Sequence, residues 1–299
     1  LNMKIYDCFM FFDEEMLLDL RLNIMDRHVD KFIIVEASYM HSGKEKKLIF
    51  DINKFSKYKD KITYIPLNKN PTDLVKINDN DSKIEKQNKM IINAKKREIF
   101  QINQTYNEIS KANSEDIIII SDIDEIPNLE KVNLKKIENK LIFFKQKMFY
   151  YKLNLLHKSL PWYGSKACKK KYFKTAEWLR SIKNKKYPIW RIDILFSSLK
   201  YNDIAFINDG GWHFSNIKKP EELEIKLLNF LHHVDYKESG LGLEDLKKFM
   251  KEKKIMYNHS MDKKDNKWGE GEKLYKVNIN ELPQHIKDNT EKYKNWLEF

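Results

Sequence analysis

Short apolar runs alternate with helical periodicity along the first half of the chain. Apolar runs predict strands at residues 4–12, 32–36, 61–67 and 116–120. Between the first two runs, Asp13 is a suitable N-cap for a helix that extends to about His28. Because strand, helix and strand in that order form a parallel unit, the pattern predicts an α/β fold with a mostly parallel central sheet flanked by helices.

The rest of the chain has a less regular pattern. Helical periodicity covers residues 85–110, 220–234, 243–253 and a stretch near the C-terminus, and strand-like apolar stretches lie at 141–153, 189–196 and 204–207. The sequence contains no linker rich in Pro, Gly and Ser. We therefore predict a single domain over residues 1–299, with a helical part from about residue 219.

An acidic pair follows the most apolar run of the chain. Ile117–Ile120 predict a strand buried on both faces, and Asp122 and Asp124 come soon after it. In an extended chain these two carboxylates point the same way and repel each other unless a cation lies between them. Because ligands of α/β proteins bind at the carboxyl ends of strands, the pair predicts a divalent metal that holds a phosphorylated ligand. The alternative is a solvated turn, where Asp forms local hydrogen bonds.

A pair of glycines forms the second candidate element. Asp209 precedes Gly210 and Gly211, which lack a Cβ and so permit a tight turn close to a ligand. Trp212 adds a stacking surface for a donor, and His213 adds an imidazole that suits manganese-like ions. A lone histidine is more commonly a hydrogen-bonded core residue. The acidic pair needs further ligands, however, so we predict His213 as one of them.

The chain is basic, with 56 Lys and Arg residues against 44 Asp and Glu residues and a net charge of +12. A basic surface attracts polyanions, but the lysines are spread along the chain and we predict no nucleic-acid partner. The densest lysine cluster, at residues 166–174, leaves open a peripheral contact with a membrane surface. Arginine is scarce and favours bidentate contacts where it occurs; the positions are Arg21, Arg27, Arg97, Arg180 and Arg191.

Features of a membrane or secreted protein are missing from the sequence. No apolar segment approaches membrane-spanning length, and the N-terminus lacks the pattern of a signal peptide. Cys8 and Cys168 provide neither a disulfide framework nor a zinc-binding spacing. We therefore expect a cytoplasmic protein, at most peripheral to the inner face of the membrane.

Four ordered segments of the chain resemble glycosyltransferase family seventeen, which includes the β-1,4-mannosyl-glycoprotein N-acetylglucosaminyltransferases. The segments are residues 7–21, 29–44, 121–127 and 211–215. The resemblance implies a GT-A fold and inverting transfer of a sugar from a nucleotide donor, with UDP-GlcNAc as the default and Mn²⁺ or Mg²⁺ as cofactor. Because animal members differ in having a membrane anchor and a lumenal stem, we expect a bacterial surface polysaccharide, lipid-linked glycan or glycoprotein as the acceptor.

The resemblance identifies residues 122–124 as the family's metal and diphosphate motif. Asp124, assisted by Asp122 and with His213 as a third ligand, would hold the metal beside the leaving diphosphate. Glu36, at the end of the second predicted strand, would accept hydrogen bonds from uracil or ribose. Arg97 would add positive charge at the donor.

An inverting displacement also needs a base on the face opposite the leaving group. We predict Asp209, which adjoins the glycine pair, and keep Glu125 and Glu177 as alternatives. The rival hypothesis is a non-catalytic module that binds glycan or anionic surfaces on a degenerate GT-A fold, against which the intact acidic pair argues. A metal-dependent nuclease or phosphatase would need more clustered acids than the sequence offers.

Overall fold

Two β-sheets and the helices packed against them make up the protein. The computed structural model describes residues 3–194, 196–258, 268–269 and 271–299. The strands are β1 (Ile5–Phe11), β2 (Lys31–Ala37), β3 (Ile62–Leu67), β4 (Ile117–Ile120), β5 (Glu125–Pro127), β6 (Leu141–Phe144), β7 (Gln146–Tyr150), β8 (Leu155–Trp162), β9 (Lys166–Lys169), β10 (Ile204–Ile207), β11 (Gly211–Ser215) and β12 (Tyr275–Lys276). The helices are α1 (Glu15–Met25), α2 (Lys83–Asn103), α3 (Tyr106–Ile109), α4 (Ala176–Ser181), α5 (Pro220–Leu227), α6 (His233–Glu238), α7 (Leu243–Glu252), α8 (Gln284–Asp288) and α9 (Thr290–Tyr293).

The first sheet has seven strands in the order β10-β6-β9-β4-β1-β2-β3. Neighbouring strands are parallel except at β9, which is antiparallel to both β4 and β6. The predicted α/β fold with a mostly parallel sheet is therefore confirmed, while the GT-A type of that fold stays a prediction. Within the described chain, none of the helices combines the length and the apolar character that crossing a membrane requires.

The second sheet has five strands in the order β12-β8-β7-β11-β5. Among the described strands, the chain passes between the two sheets at five places, which are β4 to β5, β5 to β6, β6 to β7, β8 to β9 and β10 to β11. The acidic pair lies in the first of these crossings. A chain that crosses between sheets leaves the hydrogen-bond ladder of the first strand, so its polar groups can bind other side chains at the sheet junction.

Strand β4 is the centre of the hydrophobic core. All four isoleucines of Ile117–Ile120 are fully buried. Ile117 and Ile119 pack into one apolar cluster, and Ile118 and Ile120 pack into a second cluster on the opposite face. Burial on both faces is what the run of β-branched residues predicted.

Several predicted elements differ from the observed ones. The apolar stretch 141–153 contains two strands that belong to different sheets, and the helical stretch 220–234 is divided into α5 and the start of α6. The prediction of a strand at 189–196 is wrong, because its described residues include a 3₁₀ turn at Ile192–Ile194. Four of its apolar side chains are exposed, namely Ile189, Trp190, Ile192 and Phe196. Strand propensity alone does not supply the neighbouring strand that a sheet needs.

A buried ion pair fixes the β4–β5 crossing. Arg21 on α1 and Asp7 on β1 are both fully buried, and two guanidinium nitrogens of Arg21 donate to the Asp7 carboxylate at 2.8 and 2.6 Å. Arg21 Nη1 also donates to the carbonyl oxygens of Asp122 and Glu125, each at 2.9 Å. Arg21 Nη2 adds a bond to Ser121 Oγ at 2.5 Å. The backbone of the crossing is thus held by one side chain.

Arg21→Met should lower the free energy of unfolding by about 3–5 kcal/mol, because it leaves the Asp7 carboxylate buried without a counter-charge. The matched control is Arg27→Met, which removes an exposed pair with Glu130 and should change stability by less than about 1 kcal/mol. Urea unfolding measures both. If the two variants lose equal stability, the burial of the Arg21 pair has no energetic consequence and our interpretation fails.

Candidate active site

Asp122 and Asp124 stand in the turn between β4 and β5. The amide of Glu125 donates to the Asp122 carbonyl oxygen at 3.0 Å, which closes the turn. The Glu125 side chain returns the contact, since its Oε2 accepts the Asp122 amide at 2.7 Å. Both aspartates line one cavity. We predicted an extended chain between the two carboxylates, and the structure has a turn there instead. The turn still brings both side chains to one cavity.

Arg180 on α4 is the counter-charge of Asp122. Its Nη2 lies 3.0 Å from Asp122 Oδ1 and 3.2 Å from Glu98 Oε1 on α2. The Asp122 side chain is 41% exposed overall, yet its Oδ1 is buried. Burial raises the pKa of the Asp122 carboxyl to about 7, and Arg180 opposes that shift while the Glu125 and Asp124 carboxylates add to it. The surroundings therefore make the Asp122 carboxyl harder to ionise than a free aspartate, although Arg180 favours its ionised form.

The surroundings of Asp124 favour its ionised form instead. Its Oδ2 lies 3.7 Å from His213 Nε2 on β11 and 4.0 Å from Lys226 Nζ on α5. Burial works against ionisation, but the His213 imidazole and the Lys226 ammonium overcome it and lower the pKa of Asp124 to about 2. The pKa of His213 is raised, because the attraction of Asp124 exceeds the effect of its own burial. Asp124 therefore loses its proton at a lower pH than Asp122 does.

The first cavity encloses about 190 Å³ beside the acidic pair. It lies where β1 and β2 end, between α2 and the region that follows α5, and Phe12, Tyr39, Gln101 and Asn229 are among its lining residues. The Tyr39 hydroxyl is buried and lacks a hydrogen-bond partner among the described residues. A buried polar group without a partner costs free energy, and a ligand in this cavity could supply the partner.

A second cavity of about 390 Å³ touches the pair from another side. Trp162, Tyr163, Glu125 and Arg180 line it, and it shares Asp122 with the first cavity. Trp162 stacks on His213 with ring centroids 4.8 Å apart, and its indole nitrogen donates to Glu125 Oε1 at 2.5 Å. An aromatic wall beside carboxylates is suited to a sugar, which has apolar ring faces and polar edges.

The sequence agrees with this geometry. The family model of glycosyltransferase family 17 matches residues 1–298, which include every residue of the site. The chain belongs to glycosyltransferase family 17. A comparison with curated proteins gave no significant match. The resemblance that the four ordered segments indicated is confirmed, and membership supports a transferase that moves a glycosyl group.

Two of the predicted site residues of this glycosyltransferase lie elsewhere. Asp209 and Trp212 line a third cavity of about 470 Å³, together with Arg27 and His285, and this cavity shares no described lining residue with the other two. The cause is the alternation of β11, because Trp212 points to the face opposite His213. The prediction that the glycine pair brings Asp209 and Trp212 to the acidic pair is therefore corrected.

Glu36 and Arg97, which we predicted as donor-binding residues, both form hydrogen bonds that hold loops of the family 17 chain. The Glu36 carboxylate is buried and accepts hydrogen bonds from the amides of Ile49 and Phe50 at 2.9 and 3.0 Å. It also accepts from Lys46 Nζ and from the Tyr64 hydroxyl. With both oxygens occupied within the protein, Glu36 organises the segment after β2.

Arg97 supports a neighbouring loop. Its Nε donates to Asn70 Oδ1 at 2.9 Å and its Nη1 donates to the His41 carbonyl oxygen at 3.2 Å. His41 itself lines the first cavity. Arg97 therefore shapes the cavity through the backbone that it holds.

Sequence reasoning missed Arg180, Lys226 and Trp162, which complete the site. The scarcity of arginine was the one signal for Arg180, and this residue does contact two carboxylates. Lys226 resembles any other surface lysine in the sequence. Trp162 lies on β8, and only the pairing of the second sheet brings it to β11 through β7.

The carboxylates and imidazole of the site form an incomplete metal centre by themselves. Throughout the part of the chain that the structure describes, no group of three His, Cys, Asp or Glu side chains could hold an ion. A divalent ion bound with a nucleotide commonly takes one or two protein carboxylates, and substrate phosphates supply the remaining oxygens. The carboxylates of Asp124 and Asp122, including the buried Oδ1 of Asp122, fit that kind of site.

Gly164→Ala should perturb this site directly, because the added Cβ would lie 1.9 Å from Glu125 Oε1. Moving Glu125 breaks its bonds with the Asp122 amide and with Trp162, which costs about 2–4 kcal/mol. The control is Gly242→Ala, whose Cβ would meet no atom within 4 Å and should cost about 1 kcal/mol or less. Equal urea midpoints for the two variants would contradict the close packing of Gly164.

Proposed function

We propose that this protein is a metal-dependent inverting glycosyltransferase that transfers a sugar, by default GlcNAc from UDP-GlcNAc, to a glycan acceptor. One observation carries the proposal, namely that two cavities share Asp122, one on each side of the acidic pair. An inverting displacement needs donor and acceptor bound at the same time, on opposite sides of the reacting carbon. Two cavities that meet at one carboxylate satisfy that requirement.

The first cavity is the proposed donor site. Family membership supports a nucleotide sugar, and the cavity lies at the carboxyl ends of parallel strands, where α/β proteins bind nucleotides. Tyr39 can offer its unpartnered hydroxyl to the base or ribose. Lys226, which lines the same cavity, can attract the diphosphate.

Asp124 is the proposed main ligand of the metal, with Asp122 assisting. His213, whose Nε2 lies 3.7 Å from Asp124 Oδ2, would join them as a ligand only after a side-chain movement, since the described residues do not form a three-ligand site as they stand. Bound Mn²⁺ or Mg²⁺ would act as a Lewis acid that neutralises charge on the leaving diphosphate. Arg180 would lose its partner when Asp122 turns toward a cation, and its guanidinium would then be free to contact phosphate. Glu98, which also holds Arg180, keeps that group next to the donor.

The second cavity is the proposed acceptor site, and Glu125 is the proposed base. Glu125 lines this cavity and adjoins the acidic pair. Glu177, the other alternative, is bound to Ser181 and lies 3.3 Å from Lys95. Asp209 lies in the third cavity. Glu125 is therefore the candidate carboxylate that lines the acceptor cavity, and it would accept a proton from an acceptor hydroxyl once that hydroxyl displaces the Trp162 indole from Oε1.

Asp124→Ala should weaken binding of UDP at least about tenfold in the presence of Mn²⁺, because the ion that bridges protein and diphosphate loses its main ligand. Calorimetry with UDP, with and without Mn²⁺, measures the effect. Without Mn²⁺ the variant and the parent protein should differ little. Unchanged affinity with Mn²⁺ would remove Asp124 from the metal site.

Glu125→Gln should lower the rate of sugar transfer by about 100-fold or more, because the proton acceptor is lost. UDP binding should fall much less, although the Gln amide can keep only one of the two hydrogen bonds that Glu125 accepts. Asp209→Asn is the matched control and should retain the parent rate. Transfer of radiolabelled GlcNAc to water or acceptor measures both. The reverse pattern would restore Asp209 as the base. A parent protein that binds UDP-GlcNAc but never turns it over would support the non-catalytic module instead.

A further inference from the structure

Four large apolar side chains are exposed together near α4. Ile189, Trp190, Ile192 and Phe196 are 80%, 82%, 71% and 86% exposed. Solvent exposure of one large apolar residue is ordinary, but a cluster of this kind on a soluble surface marks an interaction site. These residues belong to a segment, residues 183–194 and 196–201, that we name the basic protrusion.

The base of the basic protrusion is tied to the fold. The Lys183 amide donates to the Leu199 carbonyl oxygen at 2.9 Å, and the Tyr187 amide donates to the Tyr201 carbonyl oxygen at 3.1 Å. Asn202 Nδ2 adds a bond to the Tyr187 carbonyl oxygen at 2.8 Å. The two arms of the segment are therefore paired, and the apolar residues lie at the tip between them.

Positive charge surrounds this apolar tip. The basic protrusion contains five cations and one acid; these are Lys183, Lys185, Lys186, Arg191, Lys200 and Asp193. Asp193 is neutralised by both Arg191 at 2.8 Å and Lys200 at 2.6 Å. Lys183, Lys185 and Lys186 are exposed. The surface thus combines apolar residues with uncompensated lysines.

We propose that the basic protrusion docks on the surface of an anionic lipid bilayer. Tryptophan and phenylalanine partition into the interface between headgroups and acyl chains, and adjacent lysines bind anionic headgroups. A second copy of the chain is a poorer occupant, because a twofold contact through this surface would bring the lysines of both copies together. The tip and the lysines together complement a surface that is apolar inside and negative outside.

Docking would place the second cavity near the membrane. Arg180 and Asn184 line that cavity, and Lys183 begins the basic protrusion directly beside them. A glycan acceptor carried on a lipid would then reach the acidic pair. This consequence rests on the proposed function, whereas docking itself does not.

Flotation with phosphatidylcholine vesicles, with and without phosphatidylglycerol, tests the docking. The parent protein should float with the anionic vesicles only, and Trp190→Glu/Phe196→Glu should reduce the bound fraction at least about tenfold. The matched control is Ile84→Glu/Ile92→Glu on α2, which changes two other exposed apolar residues and should bind as the parent does. Equal loss in both double variants would overturn the proposal.

A second pair of variants tests the charge. Lys185→Glu/Lys186→Glu should also lose binding about tenfold or more, and salt should weaken the parent, because charges near the membrane are screened over about 8–10 Å. Lys248→Glu/Lys251→Glu makes the same change in net charge on α7 and should bind normally. The proposal would be overturned if vesicle binding did not depend on phosphatidylglycerol. It would also be overturned if the parent protein bound no vesicles and formed a dimer that Trp190→Glu/Phe196→Glu dissociates.

The same variants separate docking from catalysis. Trp190→Glu/Phe196→Glu should bind UDP with parent affinity in calorimetry, since the donor cavity contains neither residue. Lost vesicle binding with normal UDP binding supports docking. Normal vesicle binding in Asp124→Ala, which lacks the proposed metal ligand, would show that docking stands even if the proposed function fails.

Discussion

The buried pair between Arg21 and Asp7 is the interaction on which the site depends. An ion pair removed from water stabilises a fold only when its geometry satisfies nearly every donor and acceptor. Arg21 meets that condition by contacting a carboxylate, a hydroxyl and the carbonyl oxygens of the crossing. Helix α1, strand β1 and the turn of the acidic pair are thereby fixed to one another before any ligand is bound.

The acidic pair is kept ionisable by cations that other elements supply. Arg180 on α4 faces Asp122, and Lys226 on α5 with His213 on β11 faces Asp124. Each carboxylate thus has its own counter-charge, which limits the repulsion between them. The counter-charges can therefore change partners without unfolding the turn, because Arg21 rather than the counter-charges holds the turn.

The junction of two sheets explains why the site has two sides. Strands β1 and β2 of the first sheet border the first cavity, whereas β8 of the second sheet contributes Trp162 to the second cavity. The turn that crosses from β4 to β5 is the one place where both cavities reach the same carboxylate. The division of the fold into two sheets is therefore also a division between two binding surfaces.

The sequence by itself determined the parallel strands, the buried isoleucine strand β4 and the acidic pair after it, because periodicity and burial are local properties of the chain. Glu125 was also visible as a neighbour of the pair. Tertiary structure decided which distant residues complete the site. Trp162 is 37 residues along the chain from its partner Glu125, and Arg180 is 58 residues from its partner Asp122. Lys226 on α5 is still farther along the chain from Asp124, and strand alternation turned Trp212 to the opposite face of β11 from His213. Pairing partners and the direction of each face depend on the whole sheet, which no local pattern contains.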